Sequence, residues 1–380
     1  MRVLLTLILL LAASADSFAQ SRTDTLSGAW PVPLTDILTD YLPANQINGG
    51  PVVRTRIDDP DAWASKRESI VRRARELLGD APPVSGPLEV RVIGEQQREG
   101  FLQREVTFNS GTGDRINGWL LIPPGASAAG PRPVILAMHS TITPGAKVTV
   151  GIERARDNRY YGEELARRGY VVFAPDVISA GERVYEGGEP FDTGPFDRTY
   201  PEWSAMGKML SDHIRSVDFL GTVPEADTSR LGVIGHSLGG YNAFFHQAFD
   251  PRVDAAVSSC GFVSLATSAK PFRFARDTWF VHFNDRLRDH LRSGVVPCDL
   301  HEVAALCAPR ALFNYSARQD HIFPDFWAVA EPLKQVARLY EILGAADRFE
   351  TVYTDGDHDF PPEIRERAYQ WLDRWLGRDW

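Results

Sequence analysis

Beyond Pro133, short and largely apolar segments alternate with segments of helical periodicity, and this alternation limits the fold more than any other feature of the chain. The apolar segments are Val134 to Met138, Val171 to Ala174, Leu231 to Ile234, Val253 to Ser258, Ala311 to Tyr315 and Phe349 to Tyr353. Strands of this kind are typical of parallel sheets that are covered by helices on both faces and joined by right-handed crossovers. The pattern therefore predicts an α/β fold with a mostly parallel central sheet.

The segment before this alternation predicts one helix followed by antiparallel strands. Trp63, Ile70, Ala74 and Leu77 recur at helical spacing, and Gly79 follows as a helix stop. Three segments with a period of two come next: Leu88 to Val92, Leu102 to Phe108 and Ile116 to Ile122. Because no linker interrupts the pattern, we expect residues 20–80 to form an N-terminal arm and helix, and residues 81–380 to form one α/β domain.

The N-terminus predicts export from the cytoplasm. Arg2 precedes an apolar run from Val3 to Ala13, and a small-x-small pattern follows at Ser17 to Ala19. This run is too short to span a bilayer but has the organisation of a secretory signal peptide. Residues 1–19 are therefore predicted to be a signal peptide, the alternative being a core helix. The mature protein is expected in the periplasm or outside the cell, with no membrane attachment.

Charge and cysteine content restrict the partners further. The formal net charge is −9 and no block of Lys and Arg stands out, which disfavours nucleic acid as a partner. The three cysteines, Cys260, Cys298 and Cys307, are an odd number without C-x-x-C spacing. At most one disulfide can form, and a buried thiol is the simplest interpretation for at least one of them. Nothing in the sequence predicts the oligomeric state.

The sharpest local signal is the pentapeptide from Gly235 to Gly239, a G-x-S-x-G motif centred on Ser237. It lies between an apolar strand and a helical segment. A nucleophile elbow needs this context, because the serine occupies a strained turn and the flanking glycines let strand and helix pass closely. Ser237 is therefore the predicted nucleophile.

A serine nucleophile needs a base that is oriented by a carboxylate, and on this fold the partners follow in the order Ser, acid, His. Among the histidines beyond Ser237, only His321 and His358 come just after predicted strands, and His358 lies in a glycine-containing loop before the last helix. Asp320 lies in the loop after the preceding strand. The predicted triad is Ser237, Asp320 and His358, with Asp325 as the alternative acid.

These motifs resemble those of the α/β-hydrolase superfamily. Within it, the chain from about Asp61 onward resembles the group of dienelactone hydrolases and acetyl xylan esterases. The resemblance rests on the segments Trp203 to Lys208 and Val223 to Asp227, which lead in this order into Arg230 to Gly240 with the nucleophile elbow. Dienelactone hydrolases themselves carry a cysteine nucleophile, where this chain has Ser237. The resemblance implies an α/β-hydrolase catalytic domain with esterase activity.

Ester hydrolysis also requires N–H donors for the oxyanion. The backbone N–H of Leu238, at the start of the helix after the elbow, is one predicted donor. The second is expected from the loop after Met138, at Ser140 or Thr141.

Two long segments, 177–199 and 262–298, leave the carboxyl ends of predicted strands, where ligands bind in open α/β sheets. They are predicted to be pocket walls, the alternative being plain surface insertions. Trp203, Trp279 and Arg183 are the candidate substrate-binding residues. Arg183 could hold a substrate carboxylate or instead form a buried ion pair with Asp176.

No metal or cofactor is expected. The acidic residues Asp355, Asp357, Asp359 and Glu366 are spaced like the ligands of a calcium loop, but Phe360 replaces the turn glycine.

The preferred hypothesis is a secreted serine esterase that cleaves short acyl or carbohydrate acetyl esters through an acyl-enzyme. The alternatives are a peptidase resembling prolyl oligopeptidase and a non-catalytic binding module of hydrolase fold.

Overall fold

The computed structural model of the protein describes residues 36–41, 53–283 and 285–377. The strands in these ranges are β1 Thr39–Tyr41, β2 Val53–Arg56, β3 Arg91–Arg98, β4 Phe101–Asn109, β5 Arg115–Ile122, β6 Arg132–Met138, β7 Val171–Pro175, β8 Ala226–His236, β9 Val253–Ser259, β10 Ala311–Ala317 and β11 Phe349–Thr354. The α-helices are α1 Pro60–Leu78, α2 Ala146–Thr149, α3 Tyr161–Arg167, α4 Gly194–Thr199, α5 Ala205–Leu220, α6 Leu238–Phe249, α7 Asp285–Arg292, α8 Leu300–Ala305, α9 Phe326–Ile342 and α10 Pro362–Trp375.

Nine of these strands form one sheet in the order β11-β10-β9-β8-β6-β7-β5-β4-β3. The pairs from β11 to β7 are parallel, whereas β7 pairs with β5, β5 with β4 and β4 with β3 in antiparallel fashion. The predicted α/β fold with antiparallel lead-in strands is therefore confirmed.

The central strands are buried on both faces, which explains their apolar sequences. In β6, Val134 and Leu136 belong to the apolar core on one face of the sheet, and Ile135 and Ala137 belong to the core on the other face. Helices α1, α5, α6, α8 and α9 contribute to the first core, and α2, α3 and α10 contribute to the second. Successive side chains of a strand point to opposite faces of the sheet. Because both faces are covered, all of them must be apolar.

The lead-in region differs from the prediction in two places. Strand β3 begins at Arg91 rather than Leu88, and Val92 is more than half exposed on this edge strand. Val92 therefore does not mark a buried face, and the alternation that predicted a strand from Leu88 to Val92 was misleading. The expected irregular arm contains β1 and β2, which pair with each other. The predicted signal peptide at residues 1–19 lies outside the described residues.

Within the described ranges, no helix is both long enough and apolar enough to cross a membrane.

A buried ion pair fastens the N-terminal helix to the domain. Arg73 of α1 donates two hydrogen bonds to Glu302 of α8, at 2.6 and 3.1 Å, and a third to the carbonyl of Pro297. Glu302 is fully buried and also accepts the backbone N–H of Asp299, which closes a capping box at the start of α8. One carboxylate thus serves both the helix end and the contact with α1.

We expect Glu302→Ala to lower the free energy of unfolding by about 3 kcal/mol, because Arg73 would keep its charge in a largely buried position without a partner. Chemical denaturation of the purified variant measures this loss. Glu95→Ala is the matched control, since it removes an ion pair with Arg104 in which both side chains are partly exposed. Its expected cost is below about 1 kcal/mol. Equal losses in the two variants would contradict the role of Glu302.

Candidate active site

Ser237 occupies the sharp turn between β8 and α6. Its backbone lies at φ 57° and ψ −115°, a region that residues other than glycine rarely adopt. The N–H of Ser237 donates to the carbonyl of Ser259 at the end of β9, and its carbonyl accepts from Tyr241 in the first turn of α6. The turn is therefore held from both sides, as expected for a nucleophile elbow.

Two glycines make this turn possible. A Cβ atom on Gly235 would lie 2.2 Å from the backbone carbonyl carbon of Gly239, and one on Gly239 would lie 2.0 Å from the carbonyl oxygen of Met138. Neither position has room for a side chain. The start of α6 consequently lies directly against the loop that follows β6.

Asp320 and His358 meet in the loops after the adjacent parallel strands β10 and β11. His358 Nδ1 donates to Asp320 Oδ2 at 2.7 Å. The other oxygen of Asp320 accepts the backbone N–H groups of Ile322 and Phe323, at 2.8 and 3.0 Å. Both side chains are nearly buried. With Nδ1 engaged by the carboxylate, Nε2 is the nitrogen of His358 that remains to act as a base.

The electrostatics of this pair suit a neutral imidazole beside an ionised carboxylate. Burial lowers the pKa of His358 below its ordinary value, and the hydrogen bond and charge of Asp320 only partly offset this. Burial would raise the pKa of Asp320, but the hydrogen bond from His358 and the two backbone donors hold it below its ordinary value. At neutral pH, His358 can therefore accept a proton.

The loop that carries His358 is clamped from several directions. The guanidinium groups of Arg156 and Arg159 both donate to the carbonyl of His358. Arg159 also forms an ion pair with Asp359 at 2.6 Å. Asp357 accepts the N–H of His358 and pairs with His321. These contacts fix the backbone on both sides of the imidazole.

Ser237 and His358 line the same cavity, which has a volume of about 530 Å³. Its other walls include Ser140 and Thr141 from the loop after β6, Tyr241 from α6, and Phe323 beyond Asp320. No Asp or Glu is among the described residues that line it.

The loop after β6 presents its backbone in a defined orientation. His139 Nδ1 donates to the carbonyl of Ser140 at 2.7 Å, while its Nε2 accepts the N–H of Val177 at 3.1 Å. Burial lowers the pKa of His139 to about 4, so the ring is neutral and this tautomer is consistent. In a trans peptide the carbonyl and the next N–H point in opposite directions. The N–H of Thr141 is therefore directed away from the His139 ring.

Two predicted substrate-binding residues lie away from the cavity. Trp203 is buried, and its backbone bridges to Gly79 at the end of α1. Arg183 is buried in ion pairs with Asp114 and Asp212, at 2.6 and 2.9 Å. Both expectations are corrected, because each side chain already has partners inside the protein. The alternative for Arg183, a buried ion pair, is correct in kind, although Asp176 contributes its backbone carbonyl rather than its carboxylate.

Trp279 does line the cavity, within a wall formed by the segment 262–298. The segment 177–199 supports this wall from behind. Trp279 Nε1 donates to the carbonyl of Pro190, its carbonyl accepts from Thr193, and Phe191 packs against Phe280 with ring centroids 5.2 Å apart. Only the second of the two predicted walls therefore faces the cavity.

Two carboxylates hold the wall segment in place. The buried side chain of Asp299 accepts the backbone N–H groups of Leu265 and Ala266. Asp325, the alternative acid in the sequence, accepts the N–H of Ala269 at 2.7 Å. Asp325 is thus engaged with the wall, while Asp320 is the carboxylate bonded to His358.

Five further cavity residues come from this wall and were not predicted from the sequence: Arg273, Phe274, Arg276, Phe280 and His282. They form no motif, so only the folded path of the segment reveals them.

The described residues contain one group of potential metal ligands, Cys260 with Asp320 and His358. Burial raises the pKa of the Cys260 thiol, which keeps it protonated, and the other two side chains are bonded to each other. These donors do not suit a metal ion, which needs deprotonated and available ligands. All three cysteines are buried and free.

Comparison with known proteins agrees with this geometry. Residues 121–283 match the Dienelactone hydrolase family. The chain is 24% identical to the protein YtaP of Bacillus subtilis (strain 168) over 320 residues, which cover 82% of this chain and 99% of that protein. It is 28% identical to 4-O-methyl-glucuronoyl methylesterase 1 of Wolfiporia cocos (strain MD-104) over 345 residues, 85% of this chain and 78% of that protein.

Among solved structures, a glucuronoyl esterase from Solibacter usitatus has a TM-score of 0.66 at 20% identity, covering 89% of this chain and 96% of that one. The predicted fold and the resemblance to dienelactone hydrolases and related esterases are therefore confirmed.

We expect His358 to titrate below the pKa of about 6.5 of a free imidazole. Asp320→Asn should lower the pKa of His358 further, because the carboxylate favours the protonated ring. NMR of the histidine Cε1–H signals over a pH series measures both values, with His358→Gln to assign the signal. Asp325→Asn is the matched control and should leave the titration unchanged, since Asp325 bonds to Ala269. An equal shift in both Asn variants would contradict the pairing.

Proposed function

The chain is an α/β-hydrolase related to carboxylic ester hydrolases, and we propose that it hydrolyses carbohydrate esters through a covalent acyl-enzyme formed on Ser237. The observation that carries the proposal is the hydrogen-bonded pair of Asp320 and His358 on the cavity that Ser237 also lines. We further propose that residues 1–19 direct secretion, which would bring the enzyme to extracytoplasmic polysaccharide.

In the proposed reaction, His358 Nε2 accepts the proton of the Ser237 hydroxyl as Oγ attacks the ester carbonyl carbon. The tetrahedral intermediate then expels the alcohol, which takes the proton from His358. Water repeats the sequence on the acyl-enzyme and releases the acid. Asp320 keeps the proton on Nδ1 and stabilises the imidazolium in each half of the cycle.

The oxyanion is proposed to accept the backbone N–H of Leu238, the first residue of α6, where the helix dipole adds to the hydrogen bond. Of the two candidates for the second donor, Thr141 is favoured over Ser140. The hydrogen bond from His139 to the Ser140 carbonyl directs the Thr141 N–H away from that buried ring. The close approach of Gly239 to Met138 supports this assignment, because Leu238 precedes Gly239 and Thr141 lies in the loop after Met138.

The cavity favours a polar substrate of limited acyl length. It offers aromatic faces from Phe274, Trp279 and Phe280, against which a sugar ring can pack, together with guanidinium groups and few aliphatic side chains. A sugar acetate places the sugar on the alcohol side of the ester. The named activity of the Wolfiporia relative favours a second candidate, a glucuronoyl ester, in which the sugar is the acyl group.

Ser237→Ala is expected to lower kcat/KM for 4-nitrophenyl acetate at least about 10³-fold, because it removes the nucleophile and leaves the turn intact. A serine-directed organophosphate should label wild-type Ser237, as read by peptide mass spectrometry. Ser229→Ala, at an exposed serine before the buried part of β8, is the control and should keep wild-type activity. Wild-type turnover by Ser237→Ala would disprove the proposed nucleophile.

Acetyl esters should be hydrolysed with about tenfold higher kcat/KM than octanoyl esters of the same alcohol. A long alkyl chain would displace water from the guanidinium groups of the cavity without replacing their hydrogen bonds. A panel of 4-nitrophenyl esters, acetylated xylose, methyl glucuronate and aminoacyl 4-nitroanilides measures this preference. Faster cleavage of octanoyl esters would disprove the expected acyl preference, and preferential cleavage of anilides would indicate a peptidase. No turnover of any substrate would favour a binding module.

A further inference from the structure

Two guanidinium groups on the cavity wall have no carboxylate partner. Arg273 and Arg276 both come from the segment 262–298 and line the cavity together with Ser237 and His358. No ion pair joins either of them to any described Asp or Glu, and their neighbour Asp277 is exposed. The arrangement differs from that of Arg183, a more deeply buried arginine, which is paired with Asp212.

Aromatic side chains hold both groups in place. The guanidinium of Arg273 lies over the ring of Phe323, 5.8 Å from its centroid, and that of Arg276 lies over the ring of Trp279 at 5.2 Å. Phe323 in turn packs against the imidazole of His358, with centroids 5.8 Å apart. Stacking of this kind engages the face of a guanidinium and leaves the N–H donors at its edge available. Arg273 is therefore separated from the proposed base by a single aromatic ring.

No ion pair with a described residue compensates the positive charge of these groups, although the charge of Asp320, which is bonded to His358, acts on Arg273. Burial lowers the pKa of both, and for Arg276 the neighbouring charge of Arg273 adds to this effect. Burial and the same two arginines lower the pKa of His282 to about 3, so its ring is neutral and adds no charge. Partly buried charges without a partner are costly, and a bound anion would relieve that cost.

The other two arginines of the cavity have different tasks. Arg159 is neutralised by Asp359, and Arg156 is exposed and donates to the carbonyl of His358. Both hold the loop of the proposed base. Among the described residues, the side chains of Arg273 and Arg276 donate to no such loop carbonyl, and their stacking on Phe323 and Trp279 leaves the N–H edges unused.

We propose that Arg273 and Arg276 bind a free carboxylate on the part of the substrate that is not cleaved, so that the preferred substrate is an ester of an acidic molecule. This inference rests on the proposed esterase function and specifies its substrate class. The guanidinium edge presents N–H donors in a planar fork that matches a carboxylate, and such charge-assisted bonds are stronger than neutral ones. An acidic polysaccharide fragment would supply this group.

Two pairs of rigid aryl esters test the proposal on both sides of the ester bond. The first pair, 4-acetoxybenzoate and 4-acetoxybenzamide, places the carboxylate or its neutral amide on the leaving group. The second pair, mono-4-nitrophenyl terephthalate and its carboxamide, places it on the acyl group. In at least one pair, the acid should have about tenfold higher kcat/KM than the amide at low ionic strength. Added salt should reduce this preference.

Arginine variants then assign the preference to the two residues. Arg273→Gln and Arg276→Gln should each lower the ratio of acid to amide kcat/KM, and the double variant should abolish the preference. The ratio is read within each variant, so a general loss of activity or folding cancels. Arg91→Gln, at an exposed arginine of β3, is the matched control and should keep the wild-type ratio.

If the enzyme hydrolyses the amides and neither acid has a higher kcat/KM than its amide, the carboxylate site is overturned and the esterase function stands. A preference that survives in the double variant would also overturn it. If none of the esters is hydrolysed, the esterase function fails, and calorimetry of terephthalate binding to Ser237→Ala becomes the decisive measurement. Binding that is lost on adding Arg273→Gln and Arg276→Gln would support the site, and no binding to Ser237→Ala would overturn it.

Discussion

The strained backbone of Ser237 is the constraint around which the rest of the site is arranged. A left-handed φ at a serine persists only where its surroundings hold it, and here the carbonyl of Ser259 and the first turn of α6 do so. The turn also requires contact between backbones at Gly235 and Gly239, where a side chain would collide with main-chain atoms. The same contact presses α6 against the loop after Met138. One local strain thereby sets the positions of the serine hydroxyl, the helix terminus and the loop opposite.

The sheet provides the remaining geometry. Strands β10 and β11 are parallel neighbours in register, so the loops that follow them emerge at the same edge, with Asp320 and His358 in hydrogen-bond contact. This part of the site was predictable from the sequence, because the order of the motifs along the chain and their places after apolar strands determine which edge they share. The central strands were also predictable, because burial on both faces makes their sequences apolar throughout, unlike the sequence of a polar edge strand.

Other features depend on contacts between residues far apart in the chain, and the sequence could not predict them. Trp203 and Arg183 suggested substrate contacts by their residue type, but Gly79 and Asp212 engage them inside the protein. The edge strand β3 is polar and exposed, so hydrophobic alternation placed it several residues too early. Arg273 lies in a short 3₁₀ turn without a motif, and it gains its place beside the cavity from the way the wall folds back over Tyr241.

In addition to the apolar side chains that it packs into the core, that wall is anchored to the domain through main-chain groups. Asp299 and Asp325 accept N–H groups of Leu265, Ala266 and Ala269, and such bonds do not depend on which side chains those positions carry. The residues that face the cavity can therefore change without loosening the anchors, and neither anchor bonds to the pair of Asp320 and His358. In the proposed function, recognition and bond cleavage thus belong to separate stretches of the gene. Mutation can redirect the enzyme to a new ester while the chemical step is inherited unaltered.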